Sequence, residues 1–306
     1  MNPAARGVKR RYLGPSPFWR AHLPERNVRV TRTLAELDQA IVEFRDAGLR
    51  VVATLGGDGS LHQLVDSLIR HHDEATAPVL LALAGGTMNG LARSLGSGAA
   101  PDRALRAAVA ALEAGGAPPV QARHLLRVHD AAHGHARYGF GFAAGLIFRA
   151  FQEYYRYPEP GLAAALRASL LPLRAAVFGG SFYRAPPLEV RVDAIPWLPE
   201  PPHTVVASMT DNPFLWFRPF GAPLGDAAAF HLAATSMRPR ELAPRLWSIF
   251  RGRCRHQRLR VGQVNQVTLR GEGGYLIDGD LYSSASAVDV RLTVGPRLRF
   301  LVPQSG

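Results

Sequence analysis

The stretch "LRVVATLGGDGSLHQLV", residues 49–65, changes its pattern twice within a few positions. Residues 49–55 are mostly apolar or β-branched, which predicts a short buried strand. A glycine-rich turn with one acid follows the strand. Beyond the turn, apolar residues recur at the spacing of an amphipathic helix, at Leu61, Leu64, Val65, Leu68 and Ile69. A strand, a glycine turn and a helix in this order form half of a parallel α/β unit.

The same succession repeats one unit later in the chain. Residues 77–84, "APVLLALA", predict a second strand, and Gly85 with Gly86 predict the turn after it. "MNGLARSLG" then predicts a short helix that ends at Gly96. Periodicity and capping residues predict two further helices, at residues 33–48 and 101–116.

The pattern of apolar and polar residues changes after "GGAPPV". Short alternating runs separated by turns predict an all-β, sandwich-like region, interrupted by helical segments at residues 161–178 and 239–251. We therefore predict an α/β domain with a parallel sheet at residues 1–117 and a β-sandwich domain at residues 118–306. The last residues either stay in the second domain or return to the first.

Composition restricts the partners and the compartment. The net charge is +12 with a pI near 10.8, and Lys9 is the single lysine among 306 residues. An excess of arginine suits phosphates or anionic membranes, or reflects codon preference alone. A single cysteine, Cys254, indicates a reducing, cytoplasmic compartment. The stretch at residues 161–180 carries Arg167, Pro172 and Arg174, so we expect peripheral membrane contact rather than a spanning helix.

The glycine turns predict a phosphate site. A loop from a parallel strand to a helix lies at the carboxyl edge of the sheet, and glycines let backbone N–H groups approach an anion. Neither the Walker motif nor the dinucleotide fingerprint is present. Asp58 would repel phosphate unless a divalent cation or a hydroxyl proton lay between them, and phosphoryl transfer supplies both. A tight turn with a solvated aspartate is the alternative, which the second loop, 29 residues from Gly56 to Gly85, disfavours.

Together, "GGDGS" and "GGTMNGLAR" resemble the paired signature of the diacylglycerol kinase catalytic domain superfamily, whose usual forms are GGDGT and GTxND-x-AR. "NPAARG" at residues 2–7 resembles the family's NPxSG loop, and "IDGD" at residues 277–280 resembles its late DGE segment. Residues 211–232 resemble the stretch that leads into an acidic D-G-x-L in the family. The resemblance covers essentially the whole chain, in the right order.

The resemblance implies a fold of two domains with the active site in a cleft: an α/β nucleotide-binding domain at residues 1–117 and a β-sandwich lipid-binding domain at residues 118–306. It implies transfer of the ATP γ-phosphate to a lipid hydroxyl, with Mg²⁺. Carried over by position, the residues that would line the nucleotide are Asn2, Pro3, Gly56, Gly57, Asp58, Gly59, Ser60, Gly86, Thr87 and Asn89.

The resemblance also implies two catalytic candidates. Asp280 takes the place of the carboxylate that deprotonates the lipid hydroxyl, because an alcohol nucleophile needs a base within hydrogen-bond reach. Asp58 is the second candidate, as base or as metal ligand. A simple β-turn acid is the alternative for Asp280, since D-G is a common hairpin turn.

The sequence departs from the family pattern at several places. Gly90 stands where an aspartate is usual, and His62 and Gln63 replace an asparagine and an acid. Ala143 follows Phe142 where the family often has an aspartate. Ala227 and Ala228 follow Asp226 where an acid and a glycine are expected, so we predict no structural Mg²⁺ there. The chain begins at the loop that should follow the first strand, and we expect the true start to lie upstream. These departures leave open a divergent substrate, or a weakened or lost activity.

Two segments are candidates for a peripheral, anionic membrane surface. Residues 238–260 combine apolar side chains with eight arginines: 238, 240, 245, 251, 253, 255, 258 and 260. Residues 213–220, "PFLWFRPF", are too aromatic for a plain loop. Packing on the sandwich is the alternative for both, and lining a lipid pocket is a further alternative for residues 213–220. The histidines of "HDAAHGH", residues 129–135, predict a hairpin loop rather than a metal site, and no nucleic-acid module is present.

These observations together predict an ATP-dependent lipid kinase that phosphorylates diacylglycerol. A kinase for a sphingoid base or another long-chain alcohol is one alternative, and a non-catalytic nucleotide- or lipid-binding relative is another. NAD kinases share loops of the GGDG type, but "GGTMNGLAR" favours the lipid branch. A homodimer is compatible with this interpretation.

Overall fold

The computed structural model describes residues 1–3, 8, 18–86, 89–96, 100–115, 119–132, 134–156, 186–211, 218–225, 228–283 and 287–302. The chain divides into two compact units. The first unit comprises Met1–His124 and Pro296–Gly306, and the second comprises Leu125–Gly295. The functions assigned to residues 1–117 and 118–306 stay predictions.

The first unit is built from alternating helices and strands. They are α1 Leu34–Asp46, β1 Val51–Gly56, α2 Asp58–His71, β2 Val79–Ala84, α3 Gly90–Ser94 and α4 Pro101–Glu113, preceded by two 3-10 turns, Phe18–Ala21 and Glu25–Asn27. β1 and β2 are parallel, with Val51 opposite Val79. This arrangement confirms the predicted α/β class with a parallel sheet at the start of the chain.

Local signals set the ends of α1. The Thr33 hydroxyl accepts a hydrogen bond of 3.1 Å from the backbone N–H of Glu36, which satisfies one of the free donors of the first turn. Gly48 follows the helix with a φ of +67°, the left-handed conformation that commonly ends helices at a glycine. The predicted capping residues are confirmed here.

The core of the first unit joins its sheet to α4 and to the end of the chain. Parallel strands in α/β folds are covered on both faces, so the middle of β2 is apolar and buried. The core cluster consists of Val8, Trp19, Leu55, Leu81, Leu83, Ala104, Leu105, Ala108 and Leu301.

The second unit is dominated by strands. They are β3 Val120–Asp130, β4 Ala136–Gly139, β5 Gly141–Gly145, β6 Glu189–Val192, β7 Ile195–Pro196, β8 Thr204–Ser208, β9 Phe230–Thr235, β10 Leu259–Val264, β11 Gln266–Gly271, β12 Gly274–Ile277, β13 Asp280–Ser283 and β14 Val288–Leu301. Strands β3 and β14 each have residues in both units, since one end of each strand belongs to the first unit. The end of β14 pairs in parallel with β2, where Phe300 lies opposite Leu80.

Two groups of strands make up the second unit. Six strands form an antiparallel sheet in the order β10-β9-β8-β5-β12-β13. In the other group, β11 pairs antiparallel with β14 and with β6, while β3 pairs with β14 and β4. The two groups meet where the Tyr275 hydroxyl of β12 donates a 2.8 Å hydrogen bond to the buried Asp130 carboxylate of β3. The predicted antiparallel, sandwich-like second part is confirmed.

The helices of the second unit are short. They are α5 Leu146–Arg156, α6 Pro239–Leu242 and α7 Leu246–Phe250, with a 3-10 turn Ala243–Arg245 between the last two. The single helix predicted at 239–251 is therefore three pieces, because Pro244 cannot donate the backbone hydrogen bond that a continuous helix needs. The helix predicted at 161–178 lies outside the described residues. No helix in the described part of the chain has both the length and the apolar content needed to cross a bilayer.

Candidate functional site

The first glycine loop leads β1 directly into α2. β1 ends at Gly56, Gly57 is the N-cap residue, and α2 begins at Asp58. The first N–H groups of any α-helix have no partner within the helix, and the helix dipole places positive charge there. Gly59 and Ser60 lie in this first turn, so the loop presents backbone donors rather than side chains. This geometry suits an anionic ligand.

The two glycine loops lie against each other. The N–H of Gly85 donates to the carbonyl of Gly56 at 2.8 Å. A Cβ added to Gly86 would lie 2.5 Å from the Cα of Gly57, and one added to Gly56 would lie 2.4 Å from the Cβ of Ser60. Real side chains essentially never approach this closely, so the contact between the loops requires glycine at position 86, and the first loop itself requires glycine at position 56. Gly85, which sequence analysis assigned only to a turn, takes part in this contact.

The N-terminal segment joins the same place. The Asn2 N–H donates to the Leu55 carbonyl at 3.1 Å, and its side-chain amide donates to the Ser60 hydroxyl at 2.9 Å. Pro3 follows Asn2 directly in the chain. The structure thus brings the NP segment to the first glycine loop, in the place that the family resemblance implies.

Asn89 shapes the second loop from within. Its backbone is left-handed, with φ 48° and ψ 38°, which asparagine tolerates better than most residues. Its side chain accepts a 2.7 Å hydrogen bond from the Gly86 N–H and donates a 2.8 Å one to the Gly86 carbonyl. Asn89 therefore holds the loop closed on both sides. Thr87, the other predicted site residue of this loop, lies outside the described residues.

The carboxylate of Asp58 ties the first loop to the second. One oxygen accepts from the N–H of Gly90 at 3.0 Å, and the other accepts from the N–H of Leu91 at 3.1 Å. These are N–H groups of the first turn of α3, so Asp58 caps that helix from a distance in sequence. The assignment of Asp58 as base or metal ligand stays a prediction.

Burial raises the pKa of Asp58 above its usual range. Removal from water is the largest effect, and it outweighs the hydrogen bonds from Gly90 and Leu91 and the positive charge of Arg93, which all lower the pKa. Arg93 is exposed on α3, and its guanidinium is a cation beside the glycine loops. Its position in the "AR" of the family signature could have identified Arg93, which is not among the predicted site residues.

The second candidate region is the hairpin of β12 and β13. Ile277 lies opposite Asp280, and the two residues between them, Asp278 and Gly279, have φ values of 49° and 97°. Positive φ at both central residues is the mark of a type I′ turn, for which Asp-Gly is a preferred pair. The turn acid is thus Asp278, and Asp280 is the half-exposed first residue of β13.

Asp278 fixes this turn onto β5. Its carboxylate accepts from the N–H groups of Phe140 and Gly141 at 2.8 and 2.7 Å, and its own N–H donates to the Gly141 carbonyl. A Cβ on Gly139 would lie 2.5 Å from a carboxylate oxygen of Asp278, so this approach requires glycine. Asp278 is not among the predicted site residues, although its place in "IDGD" is visible in the sequence.

A second contact reaches the turn from α5. The Tyr155 hydroxyl donates to the Gly279 carbonyl at 3.1 Å. Held from β5 and from α5, the turn gives Asp280 a defined place at the start of β13. Asp280 belongs to the second unit, and the glycine loops belong to the first.

The residues that depart from the family pattern lie in different surroundings. Ala143 is fully buried in β5, in an apolar cluster with Val206, Ala233 and Leu276, where a carboxylate would lack polar partners. His62 is fully buried in α2, and Gln63 beside it is half-buried. The positions of Asp226 and Ala227 lie outside the described residues.

The fit of a divalent cation depends on the donors present. No group of three or more His, Cys, Asp or Glu side chains forms a metal site within the ranges that the structure describes. Mg²⁺ commonly binds through one or two carboxylates together with substrate phosphates. At the glycine loops Asp58 offers one carboxylate, which already accepts two backbone hydrogen bonds, so a Mg²⁺ bound there would rely mainly on the substrate phosphates.

Comparisons with known proteins concern the family and the fold. Residues 12–115, 104 of the 306 residues, match the diacylglycerol kinase catalytic domain. No curated protein matches the chain significantly. A crystal structure of a diacylglycerol kinase from Bacillus anthracis str. Sterne shares the fold, with a TM-score of 0.58, 10% identity, and coverage of 98% of this chain and 94% of that one.

Two further structures from the same organism, both described as proposed diacylglycerol kinases, have TM-scores of 0.63 and 0.61 at 13% identity and the same coverage. At this level of identity the likeness concerns the fold. The resemblance to the diacylglycerol kinase catalytic domain superfamily is thus confirmed by the match over residues 12–115, and the likeness to the three solved structures is one of fold.

Proposed function

We propose that the protein is an ATP-dependent lipid kinase that transfers the γ-phosphoryl group to a lipid hydroxyl, with diacylglycerol as the acceptor. The observation that carries the proposal is the contact between the two glycine loops at the N-terminus of α2. A match to a kinase catalytic domain over the same residues supports it.

The glycine loops would bind the triphosphate through the backbone. Gly57, Gly59 and Ser60 would contribute N–H groups at the start of α2. Gly86, to which Asn89 is hydrogen-bonded, lies against Gly57. Preorganised amides stabilise phosphoryl oxygens in the transition state, since they need no reorganisation during the reaction. Arg93 would add a positive charge, and Mg²⁺ would neutralise charge on the β- and γ-phosphates when bound.

Asp280 would act as the base. Its carboxylate would take the proton of the lipid hydroxyl while the hydroxyl oxygen forms a bond to the γ-phosphorus. The bond from that phosphorus to the β-γ bridging oxygen breaks, and ADP leaves. The support for this role is the position of Asp280 beside a turn that Asp278 and Tyr155 hold in place. A carboxylate one methylene shorter than glutamate needs such a fixed backbone to reach its substrate.

A second candidate function is a nucleotide- or lipid-binding protein without turnover. Ala143 and Gly90 favour it, because each stands where the family commonly has an acid, and the Ala143 site is apolar in this chain. A kinase for sphingoid bases or other long-chain alcohols is the alternative within the same chemistry. Because such acceptors lie in bilayers, the protein would work at a membrane surface as a peripheral protein.

The experiment is the transfer of label from γ-³²P-ATP, with Mg²⁺, to mixed micelles that contain diacylglycerol, ceramide, sphingosine or monoacylglycerol. A labelled phospholipid from diacylglycerol is the expected result, and label on another acceptor would change the substrate only. Binding of ATP without label on any acceptor would contradict the kinase proposal and support the non-catalytic alternative.

A further inference from the structure

An arginine-rich surface lies on the second unit, around α7. We define the arginine patch as Trp247 and Phe250 with the exposed arginines Arg240, Arg251, Arg253 and Arg255. Trp247 is 67% exposed and Phe250 is 42% exposed, which is unusual for two large apolar side chains one helical turn apart. The patch therefore presents apolar and cationic groups together.

Helix geometry places the central groups on one side. Trp247, Phe250 and Arg251 are related as i, i+3 and i+4 on α7 and its last turn, so their side chains are neighbours. The Arg251 guanidinium lies over the Trp247 ring, 4.5 Å from its centroid. This stacking holds the guanidinium of Arg251 against the face of the exposed indole ring.

The positive charge of the patch is not neutralised by the acid nearest to it in the chain. Glu241 forms an ion pair of 3.0 Å with Arg258, which also pairs with Glu200 at 2.9 Å. The pKa of Glu241 is lowered, first by a backbone hydrogen bond from Arg238 and also by Arg258. Within the described part of the chain, the four arginines of the patch form no ion pair.

The backbone under the patch is anchored. The Arg218 N–H donates to the Phe250 carbonyl at 2.9 Å. Gly221 and Gly252 both have positive φ, and a Cβ on Gly252 would lie 2.4 Å from the Gly221 nitrogen. The patch is therefore fixed against residues 218–221, which continue the aromatic segment "PFLWF" of residues 213–217 in the sequence. Those preceding residues lie outside the described part of the chain.

We propose that the arginine patch docks on the surface of an anionic phospholipid bilayer, with Trp247 and Phe250 in the interfacial layer and the arginines on lipid phosphates. Indole rings suit the boundary between headgroups and acyl chains, and basic residues beside them bind anionic headgroups. Single-stranded nucleic acid also uses both groups, since its bases stack on exposed aromatic rings. We favour a bilayer because the lipid acceptor of the proposed function lies in one. This inference deepens the proposed function, on which its biological purpose rests.

The test is sedimentation of the full chain with sucrose-loaded vesicles, in the absence of ATP. Vesicles of phosphatidylcholine alone are compared with vesicles that contain phosphatidylglycerol, at low and high salt. The patch variant is Arg253→Gln with Arg255→Gln. Its control is Arg127→Gln with Arg291→Gln, two exposed arginines on β3 and β14 whose replacement changes the net charge equally. A third variant, Trp247→Ala, tests the apolar part.

We expect salt-sensitive binding to the anionic vesicles, reduced about fivefold for each patch arginine removed and much less in the control. Trp247→Ala should weaken binding further at high salt, where the arginines are screened. Equal binding by the patch variant and its control would overturn the proposal, as would equal binding to neutral and anionic vesicles. Binding to single-stranded RNA that depends on the patch, without vesicle binding, would also overturn it.

A further comparison distinguishes failure of the proposed kinase function from failure of the docking proposal. Phosphorylation of a short-chain, water-soluble diacylglycerol needs no bilayer, so the patch variant should match the wild type on it. On diacylglycerol in anionic vesicles, the patch variant should be slower. If the wild type phosphorylates neither acceptor but still binds the vesicles through the patch, the docking inference stands and the proposed kinase function fails.

Discussion

Asp58 in the first unit and Asp278 in the second make the same contact in different surroundings. Each carboxylate accepts hydrogen bonds from two consecutive backbone N–H groups of another segment, Gly90 and Leu91 for Asp58, and Phe140 and Gly141 for Asp278. Both aspartates thus hold a loop in place.

What lies beside each aspartate differs. Next to Asp58 are backbone amides and glycines, so the site in the first unit is made by the main chain. Next to Asp278 is a second carboxylate, Asp280, so the region in the second unit offers a side chain. The difference teaches that an acid in a signature motif can hold a loop through backbone hydrogen bonds, while Asp280 beside Asp278 stays the predicted base.

The largest effect that separates the two regions is expected for Asp280→Asn. Removal of a general base typically lowers the rate by about 10²- to 10⁴-fold, and the amide cannot take the proton. The initial rate of ³²P transfer to the lipid under saturating ATP measures this loss. A rate within a factor of three of the wild type would remove Asp280 from the catalytic role.

In the hairpin of β12 and β13, we expect the loss of stability to be larger for replacement of Asp278 than for replacement of Asp280. Asp278→Ala leaves the N–H groups of Phe140 and Gly141 without their acceptor, which costs about 1–3 kcal/mol for each buried donor. Asp280→Ala, its matched control in the same turn, should cost less than about 1 kcal/mol because Asp280 is half-exposed. Urea unfolding of both variants measures the difference. Equal losses would show that the two acids do not divide the roles as proposed.

A smaller effect is expected for the contribution of Asp58 to the pH dependence of the free energy of unfolding. Burial raises its pKa in the folded protein above the ordinary value of 3.8, so the folded state holds this proton more tightly than the unfolded chain does. As pH rises from about 4 through the raised pKa, the contribution of Asp58 to stability is lost.

The comparison is therefore wild type against Asp58→Asn, which does not titrate at this position. The free energy of unfolding of the wild type relative to the variant should fall between pH 4.5 and pH 7.5, as measured by urea unfolding. A relative stability that rises with pH would mean that the hydrogen bonds from Gly90 and Leu91 outweigh burial.

Much of the first unit could be predicted because its signals are local. Thr33 and Glu36 mark the start of α1, and the apolar run before Gly56 marks β1, since capping and periodicity act over a few residues. The contact between the two glycine loops was also accessible, because carboxyl ends of parallel strands meet at one edge of a sheet.

The remaining features depend on contacts between distant segments. The partners of Asp58 and Asp278 lie 32 and 138 residues away, so their hydrogen bonds cannot be read from local patterns. The break of the helix at 239–251 was accessible in principle, because Pro244 lies inside it. The exposure of Trp247 was not, since the same apolar spacing also fits a helix that packs on a sheet.

The central claim is that the first unit binds the nucleotide through its backbone and that Asp280 serves the chemistry alone. Equilibrium dialysis of labelled ATP against four proteins tests it: the wild type, Gly86→Ala, Asp280→Asn, and Gly225→Ala. Gly225 is the control, because a Cβ there would meet only an oxygen of Gln263 at 3.9 Å, whereas one on Gly86 would lie 2.5 Å from the Cα of Gly57.

We expect the dissociation constant of ATP to rise at least tenfold in Gly86→Ala, since overpacking typically costs about 1–3 kcal/mol and displaces the loops. Asp280→Asn and Gly225→Ala should bind ATP like the wild type. Circular dichroism of Gly86→Ala confirms that the chain is folded. Unchanged affinity in folded Gly86→Ala, or lost affinity in Asp280→Asn, would contradict the account.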